Sequence, residues 1–427
     1  MTTAPTPSAS LPVVVIGAGP IGLAAAANLV SRGIAAIVLE SGDHAGAAIS
    51  QWGHVSLFSP WRYSIDPAGR ELLERSGWVS PDADALPTGA ELVRDYLRPL
   101  AASPELAPLL RYNSRVIGVS RQGIDSTKTI GRERRPLLVR VDSPDGLYDL
   151  LASAIIDASG TWGNNNPVGA SGLPATGETE ASAWLTGPLP DVLGRDRARF
   201  AGRHTLVIGM GHSAANTLLA LAELRETDPS TEITWAIRGR SARRLYGGGT
   251  ADELPGRGAL GGRLKDVVEG GTIALVTDFT VTELSPQPNG RLLVTSSNAD
   301  GDQSIEVDAL AAATGFRPDL AILRELHLNF DPVLEAPVAL APLIDPNVHS
   351  CGTVEPHGAS VLSHSEKNVY VVGMKSYGRA PTFLMATGYE QVRSVVAAIA
   401  GDAESAGRVN LLLPETGVCC TTGGGGC

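Results

Sequence analysis

Two glycine clusters carry the most legible chemistry in this 427-residue chain. In the first, Gly17, Gly19, Pro20 and Gly22 follow the apolar β-branched run Val13–Ile16, and Glu40 lies 23 positions beyond Gly17. In the second, Gly209, Gly211, His212, Ser213 and Ala214 follow the strand-like run TLVI at 205–208, and Arg238 and Arg240 end the next apolar run, with Arg243 and Arg244 close behind. Each position has a physical reason. The first glycine permits a tight turn, the second lets a pyrophosphate approach the backbone, and the third lets a helix pack against the strand, a place where the small Ala214 suffices. The unpaired N–H groups of the helix start favour phosphate. Glu40 is placed to accept hydrogen bonds from a ribose, and its charge would repel a 2′-phosphate, so the first cluster suits FAD or NAD. Arginines at the corresponding place can hold a 2′-phosphate bidentately, so the second suits NADPH. With both clusters in one chain, FAD is expected at the first and NADPH at the second. The competing readings are a glycine-rich turn in an ordinary βαβ unit and a solvated basic strip.

The elements that must position these residues follow from the same stretches. Residues 13–40 read as strand, turn, helix and strand, the context a glycine fingerprint requires. The segment 41–67 has no clear period, and its Trp52, His54, Phe58, Trp61 and Arg62 are candidates for flavin or substrate contacts, or for packing within a loop. A helix is expected near 89–100, and strands at 115–119 and 137–141 joined as a hairpin. Ala154–Asp157 reads as a buried strand running into Ala158, Ser159, Gly160, Thr161 and Trp162. The Pro- and Gly-rich residues 164–202 read as linker, and 246–264 as a long flexible connection. Strands are expected near 272–276 and 291–295. Residues 307–314 echo 154–159, with Gly315 where Gly160 closed the earlier segment, and the pair reads as two crossings between domains. The expected fold is α/β: two Rossmann-like three-layer nucleotide-binding domains, the NADPH domain inserted in the FAD domain. The expected divisions are 1–165 (FAD), 195–305 (NADPH), 306–412 (FAD again) and a flexible cysteine-containing tail at 413–427.

Composition narrows the functional classes. A net charge of −11 argues against non-specific nucleic-acid or anionic-membrane binding. No apolar run approaches the roughly 18 residues of a membrane span. The start, MTTAPTPSASLP, lacks the charge and apolar core of a signal peptide and reads as a short disordered lead, so the expected compartment is the cytoplasm. Three of the four cysteines, Cys419, Cys420 and Cys427, fall in the last nine residues, which looks like a thiol tail in a reducing compartment rather than a disulfide framework. Two or three such sulfurs would suit a trivalent arsenical or a mercuric ion, against a tail of incidental thiols. Cys351, near His349 and His357, reads as a small buried residue or a further redox group.

The combination of VIGAGPIG with Glu40, IDASGTWG, FAGRHTLVIGMGHSAAN, AAATGFRPD and NVYVVGMKSYGRAPTFLMATGYEQVRSV resembles the two-dinucleotide-binding-domain flavoproteins, which include flavin-containing monooxygenases and pyridine nucleotide-disulfide oxidoreductases. The resemblance covers nearly the whole chain. GMGHSA after Phe200-Ala201-Gly202 is closer to the monooxygenase branch. SYGRAPTFL with the terminal PETGVC is similar to flavoproteins of bacterial arsenic-resistance operons. Two departures stand out. The Gly-Asp pair by which such proteins contact the flavin ribityl chain is replaced by Gly373-Met374-Lys375, so ribityl recognition must differ. The full monooxygenase signature downstream of the Phe-Gly pair is absent, which counts against Baeyer–Villiger chemistry. Pro381, Thr382 and Phe383 are expected to open a helix whose N–H groups face the flavin. A disulfide reductase of this type needs a cysteine pair beside the flavin, and residues 41–350 contain no cysteine.

These readings converge on an FAD-dependent, NADPH-consuming oxidoreductase acting with dioxygen on a small-molecule substrate. A monooxygenase acting on a soft nucleophile, such as a trivalent metalloid or organoarsenical, is the leading form. A reductase working through the tail thiols and a non-enzymatic redox or metalloid-binding flavoprotein are the alternatives. No nucleic-acid or membrane partner is expected, and a homodimer is left open. No side-chain acid or base is singled out, because the flavin would carry the chemistry.

Overall fold

Val13–Ile16 (β1) is four residues long and buried on both faces, Val13 and Val15 in a core shared with helices and Val14 and Ile16 in one shared with an antiparallel three-stranded ribbon. A computed structural model describes residues 11–247, 255–298, 301–347, 356–381 and 383–411. After β1 the chain enters helix α1 (Pro20–Ser31), whose proline occupies the first turn, where its missing N–H costs no hydrogen bond. It returns as Ala36–Leu39 (β2) and, after a helical excursion, as Leu110–Arg111 (β3). Arg115–Arg121 (β4), Leu137–Ser143 (β5) and Gly146–Ala152 (β6) form an antiparallel three-stranded ribbon, with β4 and β5 where alternation placed a hairpin. Ala154–Asp157 (β7) then re-enters the first sheet beside β1.

The same plan is repeated. Leu185–Thr186 (β8), His204–Ile208 (β9), helix α2 (His212–Thr227), Glu232–Ala236 (β10) and Ala274–Val276 (β11) lead to a second antiparallel ribbon. That ribbon consists of Val281–Pro286 (β12), Leu292–Asn298 (β13) and Gly301–Val307 (β14). Ala309–Ala312 (β15) lies beside β9 as β7 lies beside β1. Val369–Val371 (β16) and helix α3 (Met385–Ile399) complete the first unit, α3 packing on α1. The two parallel sheets have the orders β16-β7-β1-β2-β3 and β11-β10-β9-β15-β8. The expected α/β class with two Rossmann-like units is therefore the observed one.

Several local expectations change. Residues 164–202 are not a bare linker: Val168, Ala175, Ala181, Val192 and Phe200 are buried against the second sheet, and β8 forms its edge. Residues 307–314 do not return to the first unit, since β15 belongs to the second sheet and the return begins at Gly315. A strand buried on both faces has the same apolar composition in either sheet, so its sequence could not assign it. The second sheet thus draws on residues outside 195–305 on both sides. From residue 255 the glycine-rich connection is a helix, Pro255–Glu269, anchored by the buried Leu264. Tertiary burial there overrides weak helix propensity. Thr382, Cys351, His349, Cys419, Cys420, Cys427, the tail from 413 and residues 1–10 of the lead lie outside the described residues.

Candidate functional site

The two glycine turns are built alike. Gly17 has φ +98°, and a β-carbon there would stand 2.8 Å from the carbonyl oxygen of Ala158, just past β7. Gly209 has φ +129°, and a β-carbon would fall on the carbonyl oxygen of Ala313, just past β15. Only glycine fits either place, because the conformation is left-handed and the neighbouring strand's exit crowds it. At the third position a β-carbon on Gly22 would fall on the Gly17 carbonyl oxygen, whereas Ala214 fits its place fully buried. The middle glycines differ from these: Gly19 and Gly211 have nothing within 4 Å of a notional β-carbon. They cap α1 and α2 with no side-chain hydrogen bond, so no side chain of the cap residue stands between the helix start and a ligand. That combination fits a diphosphate at each turn.

Glu40 follows β2. Its Oε2 accepts from the Ala18 N–H at 2.7 Å and its Oε1 from the Gly42 N–H at 2.7 Å, which pins the carboxylate across the mouth of the first turn. Oε1 also accepts from Ser41 Oγ at 3.4 Å, and Oε2 keeps lone-pair capacity for a further donor such as a ribose hydroxyl. Past β10, Arg238 and Arg240 are exposed; Arg238 Nη1 donates to the Ala170 carbonyl at 3.2 Å, and Arg240 Nε lies 3.4 Å from Asp278 Oδ1. Both guanidinium groups keep donors on the solvent side.

The segment after β2 reaches the second unit. Trp52 packs over Gly89 and lies 6.2 Å, centre to centre, from Trp162, which lies 5.2 Å from Phe316. The Phe58 and His212 rings are 4.9 Å apart, so a first-unit loop touches the first residue of α2. Trp162 Nε1 donates to Gln51 Oε1 at 2.9 Å. By contrast, Trp61 is buried in the first core and Arg62 pairs with Asp84, so neither joins this aromatic row. Gly160 and Gly315 sit on the two crossings, which bond to each other around Asn166. Gly373 begins a 3-10 turn, Gly373–Tyr377, in which Met374 is half-buried; α3 starts at Met385, later than the helix expected from Pro381.

The groups to which the sequence assigned no role are Asp157, Ser159 and Lys375. Lys375 Nζ donates to Asp157 Oδ2 at 2.7 Å and to Ser159 Oγ at 3.0 Å, with both charged side chains essentially inaccessible. A lysine two residues after a glycine that ends a buried strand was the available signal. Among the described residues there is no group of three or more histidine, cysteine or acidic residues able to hold a metal, and no helix long and apolar enough to cross a membrane.

Residues 15–66 match the model of the NAD(P)-binding Rossmann-like domain. The flavin-containing monooxygenase FMO GS-OX-like 2 of Arabidopsis thaliana is 27% identical over 185 residues, which is 38% of each chain; the likeness thus spans well under half of the curated relative. Among solved structures, the bacillithiol disulfide reductase Bdr of Bacillus cereus aligns with a TM-score of 0.66 and 19% identity over 92% of this chain and 99% of that one. A flavin monooxygenase of Stenotrophomonas maltophilia, as a double mutant, aligns with a TM-score of 0.56 and 25% identity over 92% and 98%. The chain thus has the architecture of the flavoproteins that include disulfide oxidoreductases and monooxygenases, and a flavin-containing monooxygenase is its homologue in sequence.

Proposed function

We propose that the chain is an FAD-dependent, NADPH-consuming monooxygenase that transfers one atom of dioxygen to a small soft nucleophile, with a trivalent metalloid or organoarsenical as the candidate substrate class. One observation carries this reading: two turns of the same packing, followed by opposite charges, Glu40 at one and Arg238 with Arg240 at the other. The open faces of Gly19 and Gly160 and the pinned Glu40 fit FAD; Gly17, Pro20 and Gly22 would shape the turn, and Trp52, Gly373, Met374 and Pro381 would flank the flavin end. Gly209, Gly211, His212, Ser213 and Ala214 would receive the NADPH diphosphate, the arginines its 2′-phosphate, and Gly315 the approach between the units. When bound, FAD supplies two-electron transfer from a reduced nicotinamide and reactivity toward dioxygen. The chain's own residues orient the two nucleotides and shield the site from water. The 27% identity to a flavin-containing monooxygenase supports the oxygen-transfer branch, as does the lack of any cysteine between residues 41 and 350.

The test is oxygen uptake by the purified flavoprotein with NADPH, in the presence and absence of arsenite. Uptake that rises with arsenite and matches NADPH consumption is the expected result; NADPH oxidation that runs equally well without oxygen overturns it. A second reading, a reductase passing electrons to Cys419, Cys420 and Cys427, is favoured by the fold likeness to a disulfide reductase. Deleting the last nine residues distinguishes the two. The monooxygenase keeps flavin reduction and substrate-dependent oxygen uptake, whereas the reductase loses turnover.

A further inference from the structure

In the first sheet, strand order reverses about β1, which is flanked by β2 on one side and β7 on the other. In open parallel sheets, ligands bind outside the carboxyl ends of the strands at such a switch point. The residues at that crevice are Gly17, past β1, and Ala158 and Ser159, past β7.

Asp157 closes β7 in register with Ile16 on one side and Val371 on the other. Both of its oxygens are engaged. Oδ1 accepts from the Ser159 backbone N–H at 3.1 Å and from Ser159 Oγ at 2.6 Å, while Oδ2 accepts from Lys375 Nζ. Lys375 Nζ also donates to Ser159 Oγ. Asp157 is 0% exposed and Lys375 1%, yet Ser159 itself is exposed.

This arrangement fixes the sense of the hydrogen bonds at Ser159. A serine hydroxyl offers one donor and two acceptor lone pairs. The proton is committed to Asp157, one lone pair takes the Lys375 ammonium, and one lone pair remains on the exposed side. Ser159 therefore presents an acceptor and nothing else to the crevice. A diphosphate oxygen has no proton to give it, and Lys375 is too buried and too fully matched by Asp157 to attract a phosphate. A ligand hydroxyl matches.

We propose that Ser159 accepts a hydrogen bond from a hydroxyl of the flavin's polyol chain, and that Lys375 and Asp157 are positioning residues that hold Ser159 in its acceptor state. This inference rests on the FAD reading of the first site. It supplies a ribityl contact for a chain in which Gly373-Met374-Lys375 carries no carboxylate.

The experiment measures FAD and ADP affinity by fluorescence quenching and calorimetry on the full-length apoprotein. ADP carries the adenylate and diphosphate but no polyol. S159A weakens FAD about 5-fold, the worth of one net hydrogen bond, and leaves ADP unchanged; S159T restores FAD affinity. Lys375→Met alone strands a buried carboxylate, so the positioning role is tested in D157V/K375M, which removes both charges and the oxygen that holds the Ser159 proton. That variant shows the same selective loss for FAD with an unchanged circular dichroism spectrum. Equal FAD affinity in S159A and wild type overturns the proposal, as does a D157V/K375M loss shared equally by FAD and ADP. Failure of the wild-type protein to bind FAD at all overturns the flavin reading itself.

Discussion

At the scale of single residues, the proposed FAD and NADPH sites differ in the charge at the end of the second strand of each unit. Glu40 is held by two backbone N–H groups, so its position does not depend on a flexible side chain finding its partner. Glu40→Ala removes that acceptor and should weaken FAD about 10- to 100-fold by fluorescence titration, since hydrogen bonds to a charged group contribute about 1.5–3 kcal/mol. Arg238 and Arg240 are exposed and can be removed with little structural effect. The double variant R238A/R240A should lower kcat/KM for NADPH about 10- to 100-fold and leave NADH unchanged. A preference ratio that does not move would show that these arginines form only a basic surface. The opposite charges themselves were legible in the sequence, because Glu40 and Arg238 follow recognisable strands. The Asp157–Lys375–Ser159 cluster was not, since its members are 218 positions apart at the extremes and meet only through the pairing of β7 with β16.

At the scale of elements, two buried acids fix pieces of the first unit in opposite electrostatic senses. Glu366 receives Nε of Arg121 at 2.8 Å and Nε of Arg132 at 2.7 Å, with all three side chains buried, and so ties β4 and the following loop to the segment before β16. Burial pushes the Glu366 carboxyl up, but hydrogen bonds from Arg132, the His327 N–H and Arg121 outweigh it and hold the group below its ordinary range. Glu366→Ala leaves two buried guanidinium groups without their carboxylate and should cost about 3–5 kcal/mol, read as a fall in Tm. Asp66 behaves in the reverse sense. It caps the helix Pro67–Arg75 through the Gly69 N–H at 2.8 Å, and burial raises its pKa to about 7 against the opposing backbone N–H groups of Gly69 and Ala68. The unfolded chain releases this proton near pH 4 and the folded chain holds it to about 7. Between those values the folded state binds more protons, so stability falls as pH rises. Asp66→Asn should flatten that part of the stability–pH curve, as measured by denaturant titration from about pH 4 to 8. The helix at 89–101 shows the limit of periodicity. Pro99 has no N–H for the Asp95 carbonyl, which instead accepts from Trp78 Nε1 at 2.9 Å, and residues Leu92–Leu97 adopt a π-helical turn.

At the scale of the molecule, the two units are joined by adjacent crossings that brace each other. The Asn166 N–H donates to Gly315 O, its Nδ2 donates to Thr314 O, and its Oδ1 accepts from Arg317 Nε at 2.9 Å. Trp162 and Phe316 stack alongside. One residue thus bonds the two strands of the connection to each other. Asn166→Ala should raise the rate of limited proteolysis at the crossings several-fold while leaving the bound flavin content unchanged. A loss of flavin equal to the gain in cleavage would place Asn166 in the first unit's own stability instead.

By itself the sequence determined the class of fold, the two glycine turns and the sign of charge beside each, because a tight turn, a helix start and a strand end are set by residues within about 30 positions of one another. The tertiary structure decided the rest. It assigned β15 to the second sheet and β8 to its edge, turned the 164–202 stretch into packed structure, and buried Trp61 while bringing Phe58 to His212. It also joined Lys375 to Asp157 beneath an exposed Ser159. Such choices depend on which buried strands lie side by side, and apolar strands of equal composition carry no local mark of their neighbours.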